Sequence, residues 1–115
     1  MRRDDERLAD MLEACDKIAA RAALGRDSFD ANEDVQLAVV HLVQVVGEAA
    51  SGVSDELTSA HPETPWRQVI AMRNRVVHGY FEIDLDILWD VVTIDVPRLA
   101  RQIQAIRGAS GPAPC

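Results

Sequence analysis

Between Val35 and Ala50, 11 of 16 residues are apolar, and they cover most of the circumference of a helix. A helix with so little polar face must be buried on several sides. In a chain of 115 residues, long enough for one modest core, the remaining elements have to wrap around this one. Residues 31–51 are therefore predicted as a central helix that also lies in a subunit interface. Asp30 and Glu33 resemble a capping box at its start, and Gly52 stops it. Its polar breaks, His41, Gln44 and Glu48, fall three and four apart on one face. The weightier reading is a polar seam satisfied by neighbours, such as arginines of a later helix. His41 and Glu48 as metal ligands lack a third partner, so no metal site is assigned.

The rest of the chain has the same helical period. Leu8, Met11, Leu12, Cys15, Ile18 and Ala22 form one stripe of a helix over residues 2–24, with Asp4, Asp5 and Glu6 at its positive end. Residues 26–31 are predicted as a loop from which Phe29 tucks into the core. Ser54 caps a short helix that ends before His61-Pro62, and His61 is expected to be an exposed linker residue without a role. Asp84 caps a last long helix over 85–106, where Pro97 removes one backbone donor and predicts a kink or break. Aromatic residues are only 4% of the chain, so aliphatic side chains must fill the core, and no segment alternates as a half-buried strand does. Residues 1–107 form the predicted domain, and 108–115 (GASGPAPC) a disordered tail by composition. Cys15 and Cys115 show no metal or redox spacing, and Cys15 is expected to be a buried free thiol. With no secretory segment and no bilayer-length apolar run, the expected location is the cytoplasm.

The stretch 66–81, WRQVIAMRNRVVHGYF, carries the chemistry. Thr64 as N-cap and Pro65 at the first helical position open a predicted helix, and Gly79 ends it. Trp66, Val69, Ile70, Arg73 and Val77 share its inner face, so an arginine sits at the far end of an apolar stripe. Arg73 and His78 are five apart, roughly 140° from eclipsed, and share an end of the helix rather than a stripe. A histidine can carry a proton near neutral pH, and an arginine presents a planar cationic fork to phosphate oxygens. RNA brings its own nucleophile, the 2′-hydroxyl, so such a pair suffices without a metal or other cofactor. Asn74 could orient the imidazole or bind a phosphate oxygen. Arg75 could contact RNA, or pair with Glu48 or another acid. A histidine at a helix end is also ordinary through the macrodipole, and this spacing arises readily by chance, so spacing alone does not assign the pair.

The formal net charge is −7. Residues 1–62 hold 13 acids and 6 bases, whereas residues 63–115 hold 6 of each. The excess acid is thus confined to the N-terminal half, while Arg67, Arg73 and Arg75 cluster on the central stretch. A local cationic site is possible; a broad footprint for a long duplex is excluded. Any RNA contact is short.

Arg73 to Tyr80, R-N-R-V-V-H-G-Y, resembles the R-x4-H-x-Y signature of HepT-like toxins in the HEPN superfamily. VVGEAASGVSDEL (45–57), HPETPWRQVIAMRN (61–74) and HGYFEIDLDILWDVVTIDVPRL (78–99) resemble that family too, so the similarity runs from the second helix to the last. It implies an all-α, HEPN-like bundle of four principal helices plus one short helix that dimerises, with Arg73 and His78 of both chains in one cleft. It implies a metal-independent endoribonuclease acting on transfer or messenger RNA, with Arg73 and His78 catalytic and Asn74 supporting. A dimer supplies two histidines, one for the acid and one for the base. The resemblance further implies a minimal nucleotidyltransferase antitoxin (MNT) that adenylylates Tyr80, and a homodimer or larger hetero-oligomer with it. The alternative is a non-catalytic helical partner, or nucleotide-binding subunit, of such a transferase.

Overall fold

The computed structural model describes residues 2–79 and 82–110. Two long helices form its spine: α1 (Arg2–Ala22) packs along α3 (Glu33–Ser51). Between them lies a short helix, α2 (Arg26–Asp30), where a loop was predicted. Its helical state follows from tertiary packing. Phe29 is 1% exposed and stacks at a tilt on Trp89, ring centroids 5.3 Å apart. The buried Gln36 amide donates to the carbonyls of Phe29 and Asp30 at 3.0 and 3.1 Å, satisfying the end of α2. The α3 cap is Asn32, whose side chain accepts from the Val35 N–H at 3.2 Å. Asp30 is instead the last residue of α2, paired with Arg26, so the predicted capping box does not form.

The central character of α3 is as its composition demands. Val39, Val43 and Val46 are fully buried, and α1, α2 and the segments Trp66–Ile70 and Met72–Val76 pack around the helix. Ser54 caps α4 (Asp55–Ala60) as predicted, its hydroxyl accepting from the Leu57 N–H. Asp4 of α1 anchors that cap, with Oδ1 2.9 Å from the Ser54 amide and Oδ2 2.6 Å from its hydroxyl. Cys15 is a buried free thiol, pushed up to about 12 by burial and then by the charge of Asp16; it is inert near neutral pH.

The predicted continuous helix over 66–81 is broken. Trp66–Ile70 (α5) and Met72–Val76 (α6) are separate turns joined at Ala71, and Val77–His78 (β1) pairs antiparallel with Glu82–Ile83 (β2). Val76 and Val77 are β-branched and favour the extended backbone taken up at Val77. Thr64 does not cap α5; the turn before it closes through Pro65 (φ −81, ψ 71), an inverse γ-turn in which the Trp66 N–H donates to the Thr64 carbonyl at 2.9 Å. His61 is half-buried, and its carbonyl accepts from the Trp66 indole at 3.0 Å, so it is not a bystander.

Asp84 caps α7 (Leu85–Asp90) as predicted, accepting from the Ile87 N–H. The irregularity expected at Pro97 takes the form of a π-helical turn, Val91–Asp95, directly before α8 (Val96–Ser110). There the Val96 N–H reaches back five residues to the Val91 carbonyl. Pro97 has no N–H to donate and crowds the carbonyl four before it, which the wider turn accommodates. Residues 108–110 continue α8, and 111–115 lie outside the described residues. No helix among the described residues is long and apolar enough to cross a membrane.

Asp4 gives this arrangement a pH dependence. The Ser54 hydroxyl, with the Ser54 N–H and Arg7 adding to it, holds the Asp4 carboxyl below its ordinary value against the opposing effect of burial. A depressed folded-state value means the stabilisation is complete above the unfolded value near about 4 and is lost as pH falls through the folded one. Asp4→Asn should therefore lower unfolding free energy by about 1–3 kcal/mol at neutral pH. In urea titrations the gap to the parent protein should close below about pH 4; a gap unchanged at pH 3 would refute this role.

Candidate functional site

Gly47 decides where the candidate residues lie. A Cβ at that position would stand 3.0 Å from the Ile70 carbonyl oxygen and 3.3 Å from that of Val69. Glycine lets α3 and α5 approach this closely; any side chain would require the α5 backbone to give way. At the same point the helical ladder shifts, since the Asn74 N–H bonds the Ala71 carbonyl at 3.0 Å rather than that of Ile70. Met72 and Val76 then turn into the core, leaving Arg73 half-buried and Asn74 and Arg75 exposed.

Arg73 and Asn74 line an open cavity of about 410 Å³, whose opposite wall is the polar face of α3: Gln44, Glu48 and Ser51. The seam predicted on α3 thus meets an arginine of the 66–81 stretch. Gln44 donates to the Glu48 carboxylate at 3.1 Å, and the Ser51 hydroxyl donates to the Glu48 carbonyl at 2.7 Å. Arg73 takes no such partner. Its Nε is buried and unbonded, and no hydrogen bond or ion pair holds its guanidinium among the described residues. In a chain with 19 acids, a half-buried arginine without an acid is costly to maintain. It offers a vacant cationic fork to an anion entering the cavity.

The other candidates are placed differently. Arg75 pairs with Asp95 of the π-helical turn at 3.2 Å, taking the acid-pairing alternative among those open for it. His78 is exposed on β1 and does not line the Arg73 cavity within one chain; its cross-strand neighbour is Glu82. Gly79 (φ 63) supplies the left-handed residue that starts the connection between the strands. Tyr80 lies outside the described residues. His41 and Glu48 line a second cavity beside Arg7 and Lys17, and no group of three potential metal ligands is assembled among the described residues. Sequence reasoning missed Gly47, Ser51 and Ile70 as parts of the site. Gly47 within an otherwise strong helix was the available signal.

The family model described as Ribonuclease HepT-like matches residues 11–106 of this chain. Among curated relatives, "Probable ribonuclease HepT" of Thermococcus cleftensis is 32% identical over 81 residues, covering 70% of this chain and 74% of the relative. "Putative RNase MJ1380" of Methanocaldococcus jannaschii is 29% identical over 100 residues, 86% of this chain and 92% of its own. "Putative RNase TTE0752" of Caldanaerobacter subterraneus subsp. tengcongensis is 25% identical over 100 residues, covering 86% and 89%. No solved structure matches.

If Arg73 is kept for a ligand rather than for the fold, Arg73→Met, which retains the apolar stem, should leave the thermal midpoint unchanged or slightly raised. Phosphate or sulfate should stabilise the parent protein, by about 1.4 kcal/mol at ten times the dissociation constant, and have no such effect on the variant. Loss of several kcal/mol in the variant would instead assign Arg73 to the fold.

Proposed function

The chain belongs to the HepT-like ribonuclease family, and on that premise we propose that it is a metal-independent endoribonuclease that works as a homodimer. The observation that carries the reading is the unpartnered Arg73 guanidinium, beside the Asn74 amide, at an open cavity. In the proposed reaction an imidazole accepts the 2′-hydroxyl proton as O2′ attacks the adjacent phosphorus. The bond from phosphorus to the 5′-oxygen breaks, and a second, protonated imidazole protonates the leaving oxygen. The products are a 2′,3′-cyclic phosphate and a 5′-hydroxyl. Arg73 neutralises the charge that grows on the non-bridging oxygens, and Asn74 donates to a phosphate oxygen or orients the imidazole.

The same placement supports a dimer. Within one chain His78 lies outside the Arg73 cavity, and one histidine does not readily serve as both acid and base. Two chains sharing a cleft supply two His78 imidazoles. Leu37, His41 and Gln44 remain exposed along α3, and this stripe is the face we assign to the interface.

The proposed biological role is that of toxin in a HepT/MNT-type pair in the cytoplasm, with transfer or messenger RNA as substrate. The antitoxin, a nucleotidyltransferase, would move an AMP group from a nucleoside triphosphate to the Tyr80 oxygen, releasing pyrophosphate. The adduct sets an anionic phosphodiester and a base two residues from His78, where they compete with RNA.

His78→Ala and Arg73→Ala should each reduce RNA cleavage in EDTA by about 10²–10⁴-fold with an unchanged far-ultraviolet circular dichroism spectrum. Tyr80→Phe should gain no AMP mass when incubated with the neighbouring transferase and nucleotide. Unmodified dimer that leaves transfer and messenger RNA intact would support a non-catalytic partner of the transferase instead.

A further inference from the structure

The Arg73 cavity continues past the catalytic candidates. Ser51 and Ile70, which line it, also line a second open cavity of about 540 Å³ between α4, the turn at 61–65 and α5. The two form one groove. Along its α5–α6 edge stand Arg67, Ile70 and Arg73: Arg67 and Ile70 line the larger cavity, and Ile70 and Arg73 the first. Arg67 is exposed, and its guanidinium has no hydrogen-bond or ion-pair partner among the described residues. Ile70 is a large aliphatic residue left 45% exposed. The polar wall of the second cavity includes Thr58, Ser59 and Gln68, and Thr64, whose buried hydroxyl lacks a partner.

We infer that this second cavity is the subsite for the nucleotide next to the scissile phosphate, an assignment that rests on the ribonuclease reading. The order cation, apolar side chain, cation along one edge matches phosphate, base, phosphate in one step of single-stranded RNA. Arg73 takes the scissile phosphate and Arg67 the neighbouring one, while Ile70 packs on the base between them. Gln68 and the hydroxyls of the wall meet base and ribose edges, as single-strand recognition requires. Glu48 and Asp55 are the acids of the joined groove, and Glu48 already accepts from Gln44. Two arginines against two acids make the groove locally neutral in a protein of net charge −7. That balance limits the groove's own contacts to one or two phosphates of the RNA strand.

The test reads binding, so it is independent of turnover. A fluorescent single-stranded oligoribonucleotide is titrated into full-length His78→Ala protein, which preserves the RNA, and into the same protein carrying Arg67→Ala, Arg67→Lys or Arg101→Ala. Arg101 is exposed and lies outside the groove, so it controls for loss of one charge anywhere. Arg67→Ala should weaken binding about tenfold and flatten the log–log salt dependence by about 0.7, the share of one phosphate. Arg67→Lys should recover most of that loss, and Arg101→Ala should stay within about twofold of the parent. Equal effects of Arg67→Ala and Arg101→Ala, or no RNA binding by the parent, would overturn the subsite. So would unchanged RNA binding with a weakened dimer in sedimentation, which would make the groove a contact between copies. Failure of the ribonuclease reading has a separate signature: RNA is bound with this Arg67 dependence, yet the unmodified native sequence does not cleave it.

Discussion

The approach of α5 to α3 at Gly47 is the contact on which the site depends. A helix that carries Val39, Val43 and Val46 inward would normally hold its neighbours at the distance set by side chains, 8–10 Å between axes. Gly47 removes that spacer, and the Ile70 and Val69 carbonyls come within contact distance of where a Cβ would sit. Everything in the candidate site is registered from there. Glu48, the next residue on α3, faces the cavity, and Arg73, three residues past Ile70, is carried to its opposite wall. The apolar core and the polar site are therefore two faces of one helix–helix contact.

Energetically, the site is where the fold gives up some stability. Arg26, Arg75 and Arg107 each find a carboxylate, exposed pairs of the kind worth at most about 1 kcal/mol. Arg73, more buried, finds none, although Glu48 lines the same cavity; the Glu48 carboxylate is engaged by Gln44. An unpaired guanidinium with a buried Nε is the opposite of what stability alone would select. It is what phosphate binding requires, because an anion entering the cavity need not first displace an acid. The strength of the electrostatics is local and unrelated to net charge.

What could be read from the sequence was what local rules decide. Periodicity placed α1 and α3, and the caps at Ser54 and Asp84 follow from the preference of short oxygen-bearing side chains for helix starts. The larger misses arise from tertiary context. Residues 26–30 are helical because Phe29 has the sequence-remote Trp89 to stack on and Gln36, on the next helix, to close its end. The pairing of Val77–His78 with Glu82–Ile83 is too short to leave an alternating pattern, so His78 was expected on a helix it does not occupy. Of the site, Arg73, Asn74 and the polar face of α3 were legible as residue types, whereas their meeting across Gly47 was not. Within one chain His78 stays outside the Arg73 cavity, so packing alone does not relate the two.

The most direct test of the central claim, that Arg73 and His78 support cleavage by the 2′-hydroxyl of RNA, is the chemistry of the product ends. Unmodified protein, verified by intact mass, is incubated with RNA in EDTA, and the fragments are analysed for their termini. This account predicts 2′,3′-cyclic phosphate and 5′-hydroxyl ends that disappear with His78→Ala. Fragments ending in 3′-hydroxyl and 5′-phosphate, or cyclic ends that persist in the variant, would contradict it.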